Sequence, residues 1–377
     1  MVYLDNSATT AVCRQAADKA YAVMTEGFGN PSSLHSLGVR AEQEKEAARA
    51  AVAAYIGATP DTITFTSGGT EANNLAILGG VEARQRRGRH ILTGATEHPS
   101  VLSACARAEQ LGYEVTRLLP GEDGAVTPEA VAAACRPDTV LCSLMLVNNE
   151  TGACTPLQAI VPIVRRLSPL SLIHCDGVQA VGKVPVNVQK LGVDLFTLSG
   201  HKLHAPKGVG ALYIRKGVRI LPQCFGGGQE RGLRSGTENL PGIAALGAAM
   251  AALPPLSEQT ARFERLRERL LSGLSALPDA VPHLPRGGAP HIVNISFPGL
   301  RSETLLHFLA ARDIFVSSGS ACARGHQSPV LTAMGLPAQE VQSALRISFS
   351  RDTTDDDIDR LLHALQEATT TLIRSRR

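Results

Sequence analysis

Short β-branched and apolar runs alternate with Ala- and Leu-rich stretches through about the first two thirds of the chain. The runs at 62–66, 90–93, 114–118, 140–144, 172–175, 194–198 and 211–214 read as seven strands of one broad sheet. Between them, Ala and Leu recur at three- and four-residue spacing over 38–55, 71–78, 100–111, 128–135 and 157–167, which predicts helices covering the faces of that sheet. Strand and helix in alternation is the pattern of an α/β fold with a mainly parallel sheet. The uncharged stretch 240–256 contains two glycines and three prolines and reads as a buried helix, not as a membrane span. Its tandem Pro254 and Pro255 deny the backbone a continuing helix and mark the clearest boundary. A smaller α+β unit follows, with an amphipathic charged helix over 257–277, strands at 291–297, 314–317 and 345–348, a short helix at 330–334 and a closing helix over 354–375.

Composition narrows the function. Hydrophobic residues make up 44% of the 377 and charged residues 19%, which excludes a disordered chain. A net charge of +3, with aromatics at 4% and no Trp, gives nucleic acid little to bind or stack on, and small-molecule chemistry is the expectation. Eight cysteines are scattered without a C-x-x-C pair, and the first residues lack the basic head and apolar run of a signal peptide. A reducing, cytoplasmic setting is expected.

Four polar stretches fall where this pattern puts loops at strand ends, the place where open α/β sheets bind ligands. TSGGTEANN (66–74) is a glycine turn between strand and helix; its backbone and the Thr70 hydroxyl suit one phosphate. HCDGVQ (174–179) puts Asp176 just past a strand, where a semi-buried carboxylate needs a positive partner such as a pyridinium nitrogen, or else serves as a helix cap. SGHKLHAPKGVG (199–210) offers Lys202, which desolvation could turn into a nucleophilic amine for Schiff-base chemistry; His201 and His204 have no acidic or cysteine cluster beside them, so no metal site is expected. SSGSACARGHQS (317–328) holds Cys322, the one cysteine set in polar company, with Arg324 and His326 near in sequence as groups that could tune its thiol. The run GVQAVGK (177–183) satisfies G-x-x-x-x-G-K, but Val184 stands where a nucleotide loop needs a hydroxyl, so an NTPase is rejected.

In order along the chain, YLDNSATT (3–10), GNPSS (29–33), TSGGTE (66–71), Glu97-His98, VNNETG (147–152), DGVQ (176–179), SGHK (199–202), GGGQERGLRSGT (226–237) and SSGSAC (317–322) resemble the cysteine desulfurases of the class V aminotransferase family, nearly end to end. The resemblance implies a homodimeric fold-type I enzyme that uses pyridoxal 5'-phosphate to turn L-cysteine into L-alanine and an enzyme-bound persulfide. It divides the chain into a large cofactor-binding domain (13–254) and a small domain (1–12 and 255–377) carrying the cysteine loop. Lys202 would attach the cofactor as a Schiff base, Asp176 would keep its pyridine nitrogen protonated, Gln179 would hydrogen-bond the ring oxygen, and His98 would stack on the ring and relay protons. Gly69, Thr70, Ser199 and His201 would bind the phosphate, with Thr237 reaching it from the second subunit. Asn149 would contact cofactor or substrate, Arg346 would clamp the substrate carboxylate as a planar fork, and Cys322 would take the sulfur.

The segment after Cys322 is shorter than the Ser-rich loop of many iron–sulfur-assembly members. A short tether limits the travel of the thiol, so the acceptor, an iron–sulfur scaffold or a tRNA-thiolation enzyme, stays open, as does cysteine against selenocysteine. A transaminase has no use for a second nucleophile such as Cys322, and a non-catalytic sulfur-relay protein would not need Lys202, Asp176, His98 and Gln179 together.

Overall fold

Near-continuous apolar sequence in a strand means burial on both faces, which parallel strands covered by crossover helices provide. The computed structural model, which describes residues 1–277, 279–319 and 327–372, has this arrangement. Its strands in chain order are β1 (Val2–Tyr3), β2 (Ile63–Thr66), β3 (His90–Gly94), β4 (Glu114–Leu118), β5 (Thr139–Met145), β6 (Leu172–Asp176), β7 (Leu195–Ser199), β8 (Gly210–Ile214), β9 (Val281–His283), β10 (Ile292–Ser296), β11 (Ile314–Phe315) and β12 (Ala344–Ser348).

All seven strands expected for the large sheet are present, in the order β2-β8-β7-β6-β5-β3-β4. Strands β3 to β7 run parallel, while β8 is antiparallel to both its neighbours, β2 and β7. Every residue of β5, β6 and β7 is buried, whereas the edge strand β4 exposes Glu114 and Arg117, charges that discourage further pairing. The parallel register sets Asp176 between Met145 of β5 and Thr197 of β7, so the carboxyl ends of these strands open on one edge.

A three-stranded antiparallel sheet, β12-β10-β9, forms the other layer system, and β1 pairs in parallel with β11. Its core gathers Phe263, Leu266 and Leu270 from helix Leu256–Leu274 and Ile358, Leu361 and Leu365 from helix Asp355–Thr371, and it includes Val2 and Leu4 from the start of the chain. From there the N-terminal segment crosses to the large sheet. Asn6 Nδ2 donates to Ser348 O at 2.9 Å, the Ser7 N–H to Ser348 Oγ at 2.8 Å and the Thr10 N–H to His201 O at 2.9 Å.

The pattern missed elements whose apolar signal is slight. Helix Arg14–Thr25 buries only Ala16 and Val23, and Val188–Leu191 is a single turn capped by Asn187. Helices Ser302–Ala310 and Ala338–Ser343 and strands β1 and β9 were also not legible, β1 being held by a partner remote in sequence and β9 being only three residues long. The helix expected from residue 71 starts at Gly69, because the turn before it is built by glycine: Gly68 has φ +150°, and a Cβ on Gly69 would stand 2.9 Å from Val178 Cγ2.

Candidate active site

A cavity of about 270 Å³ opens at the carboxyl ends of β5, β6 and β7. Gly69, Thr70, His98, Asn149, Asp176, Gln179, Ser199, His201, Lys202 and Arg346, ten residues singled out on sequence, all line it. Thr237 does not: it is exposed, in a stretch whose next residue, Glu238, is buried and paired with Lys45 at 3.0 Å. Cys322, with Arg324 and His326, lies outside the described residues.

Asp176 ends β6 and is buried. Its Oδ1 accepts the Val178 N–H at 3.0 Å and its Oδ2 the Asn73 amide at 2.8 Å, and among the described residues no ion pair involves it. The helix-cap alternative raised by the sequence is therefore met only in part, by one N–H, and the carboxylate still faces the cavity without a cation. Asn73 also donates to Ser100 Oγ at 2.9 Å, and Ser100 Oγ meets His98 Nδ1 at 2.8 Å. His98 caps helix Pro99–Gln110, its Nδ1 accepting the Ser100 N–H. That leaves Nε2 for the cavity, and burial lowers the pKa of the ring, so the imidazole is neutral despite the pull of Asp176. Asn73 and Ser100 were missed on sequence, although Asn73 lies inside the glycine-turn stretch; nothing in their type marks them as bridging two other site residues.

Lys202 follows β7 in a single 3-10 turn, Gly200–Lys202. Its Nζ donates to the main-chain carbonyls of Ser7 and, at 2.6 Å, Ala8, so the N-terminal segment forms one wall of the cavity. Burial, with the like charges of Arg346 and Lys183, brings its pKa down to about 7, against a partial offset from Asp5 and Asp176. An amine so tuned is in large part unprotonated at neutral pH, as a carbonyl nucleophile or proton acceptor must be. Gln179 Nε2 donates to Ser7 O at 2.9 Å and keeps a second N–H, while its Oε1, like Ser7 Oγ and Asn73 Oδ1, is buried without a partner.

Arg346 comes from β12 and is 1% exposed. Nη2 pairs with Asp5 Oδ1 at 2.7 Å and Nη1 donates to Asn149 O at 3.0 Å, while Nε has no partner. Two of five N–H groups are thus used, and the remainder suit a carboxylate. Of the neighbouring asparagines, Asn148 builds the turn by bonding Thr96 O and the Glu150 and Thr151 N–H groups, while Asn149 lines the cavity. At the other end, Thr70, Ser199 and His201 surround the N-terminus of helix Gly69–Glu82, whose first N–H groups have no intrahelical acceptor. Burial and nearby lysines lower His201 to about 4, so its ring is neutral there, with Nδ1 3.2 Å from Thr9 Oγ1.

A doubly covered parallel sheet with a depressed lysine, an uncompensated buried carboxylate and an anion-suited helix end defines a fold-type I pyridoxal-phosphate architecture. The Aminotransferase class-V family model matches residues 2–361, and the chain belongs to that family. It is 43% identical to the cysteine desulfurase IscS of Methanosarcina thermophila, over 97% of this chain and 91% of that protein, and 43% identical to cysteine desulfurase 2 of Trichormus variabilis, over 97% and 92%. Among solved structures, a NifS-like protein superposes with a TM-score of 0.93 at 38% identity, covering 98% of this chain and all (100%) of that one. SspA in complex with cysteine superposes at 0.82 and 32% identity, over 93% and 99%. Members of the family are pyridoxal-phosphate dependent, and the residues present fit that group: an acid for the pyridine nitrogen, a lysine for the aldehyde, a Gln179 N–H for the ring oxygen and a glycine-built helix end for the phosphate.

Proposed function

We propose that this chain is a pyridoxal-phosphate-dependent cysteine desulfurase, and the observation that carries the reading is the convergence of Lys202, Asp176, His98 and Arg346 on one cavity. Bound there, the cofactor would supply an electron sink for the α-carbon of an amino acid. Asp176 would hold a proton on the ring nitrogen, and Asn73 and the Val178 N–H would hold Asp176. The free N–H groups of Arg346 orient the substrate carboxylate, with Asp5 and Asn149 O fixing the plane of the guanidinium. Lys202 takes the α-proton as a neutral amine, and His98 Nε2 is placed to carry a proton at the cavity face. The Cys322 thiolate takes the sulfur: an S–S bond forms as the substrate Cβ–Sγ bond breaks, its electron pair passing to carbon, which leaves as alanine after protonation.

Three finer points complete the reading. The exposed position of Thr237, away from its own cavity, supports a homodimer in which a second copy supplies that residue. The relatives' names support L-cysteine as substrate, and an iron–sulfur scaffold or a tRNA-thiolation enzyme is the acceptor that the family resemblance implies. Seven described cysteines, all free, support a reducing cytoplasm; Cys105, Cys142 and Cys175 are buried and their thiols pushed up by burial, whereas Cys224 is exposed. The test is to supply purified holoenzyme with L-cysteine, trap persulfide and map the peptide. Label on Cys322 and none in Cys322→Ala is expected; sulfide release undiminished in Cys322→Ala would remove that residue as the nucleophile.

A further inference from the structure

The run 177–183, rejected as a nucleotide loop, leaves one residue unexplained. Lys183 is 6% exposed, no carboxylate pairs with it among the described residues, and its Nζ donates to the main-chain oxygen of Lys202 at 2.9 Å. A buried cation without a counter-charge is costly, so its retention calls for a local reason. We propose that Lys183 is a positioning residue for Lys202: it fixes the carbonyl of the turn that carries the reacting amine and sets a second positive charge behind that amine. The inference rests on Lys202 as the cofactor-binding lysine.

The turn is pinned at several points. The Gly200 N–H donates to Val209 O, the Leu203 N–H to Gly200 O, and both Thr10 N and Thr10 Oγ1 to His201 O. For the carbonyl of Lys202 itself, the ammonium of Lys183 is the donor. Lys183 is in turn held, its N–H on Ala180 O and the preceding carbonyl, Gly182 O, taking the Gln259 amide at 2.8 Å. The two lysines share a second cavity of about 10 Å³, room for about one water, lined also by Thr10, His204 and Arg351.

The charges around the pair are unbalanced. Lys202 is faced by Arg346 of β12, Lys183, Asp5 of the N-terminal segment and Asp176 of β6, with His98 and His201 adjoining. Lys183 is faced by Lys202, His201, His204 and His291, none of them acidic; the nearest acid to His204, Asp352, is 3.7 Å from it and largely exposed. Burial brings Lys183 only to about 8, so at neutral pH it stays mostly charged and opposes protonation of Lys202.

The test is a spectrophotometric pH titration of the cofactor band in holoenzyme, with Lys183→Arg as the variant that separates charge from packing. Removing the charge in Lys183→Met raises the midpoint by about one pH unit, a tenfold gain in proton affinity, and the acid limb of the kcat profile moves the same way. Lys183→Arg keeps the midpoint near that of the parent. If Lys183→Met does not fold, Lys183→Gln, which keeps a donor without the charge, carries the same expectation. A titration of the uncharged variant that superimposes on the parent, or an equal shift in Lys183→Arg, overturns the inference. Borohydride reduction and peptide mapping of the parent separate the two levels: attachment at Lys202 with no shift sinks this inference alone, and attachment elsewhere sinks the proposed function with it.

Discussion

The two ends of the cavity bury charge in opposite ways. At the β6 end, Asp176 is solvated by neutral donors, the Asn73 amide and the Val178 N–H, and it forms no ion pair among the described residues. At the β7 end, Lys202, Lys183 and Arg346 crowd together, with Asp5 alone paired to Arg346, and the amine of Lys202 yields by losing its proton near neutrality. An unanswered buried acid suits a ligand that brings positive charge; a cation driven toward neutrality suits one that needs a nucleophilic amine. Pyridoxal phosphate, with a basic ring nitrogen and an aldehyde carbonyl, meets both conditions.

The strongest way to break the contrast is Lys202→Ala. Turnover should fall to background and the Schiff-base band should give way to that of the free aldehyde, while the Asp176 end still retains cofactor non-covalently; an unchanged band would refute the assignment. A smaller blow falls at the acidic end. Asn73→Ala removes a hydrogen bond to a buried carboxylate and also frees Ser100 and His98, a loss of about 1.5–3 kcal/mol. Cofactor affinity should drop roughly tenfold or more, with attachment still at Lys202, and a dissociation constant equal to the parent's would take Asn73 out of the site. The smallest effect is on the apoprotein in acid. His174, buried between Ser143 Oγ and Thr197 Oγ1 beneath Asp176, and His201 are each lowered by burial to about 4. The unfolded chain therefore takes up protons that the folded one refuses as pH falls from about 6.5 to about 4, so stability is present above that window and declines through it. The apoprotein Tm should drop by roughly a few degrees between about pH 7 and about pH 5; a flat Tm over this interval would mean that His174 is not held neutral.

Much of the fold was open to sequence because each strand of the large sheet is a short apolar run bounded by polar turn residues, so every local signal agrees with the whole. Helix Arg14–Thr25 escaped since little of it is buried, and β1 because two residues make a strand only when Ile314–Phe315 lie alongside. Among site residues, Gln179 and His98 came only with the family resemblance, whereas Lys202 and Asp176 announce themselves by chemical type in a loop after an apolar run. Asp5, Asn73, Ser100 and Lys183 do not, as each acts on another site residue and not through a reactive group of its own.

Sequence by itself therefore determined the α/β class, the family and the reactive groups, all of which are written in local pattern and residue type. Only the tertiary structure decided which charges meet. That Asp5 occupies part of Arg346, that Ser7 and Ala8 wall in Lys202, and that Lys183 stands behind it depend on chain separations of 341, 195, 194 and 19 residues. Protonation in a buried site follows spatial neighbours and desolvation, and neither has a signature in the order of residues along the chain.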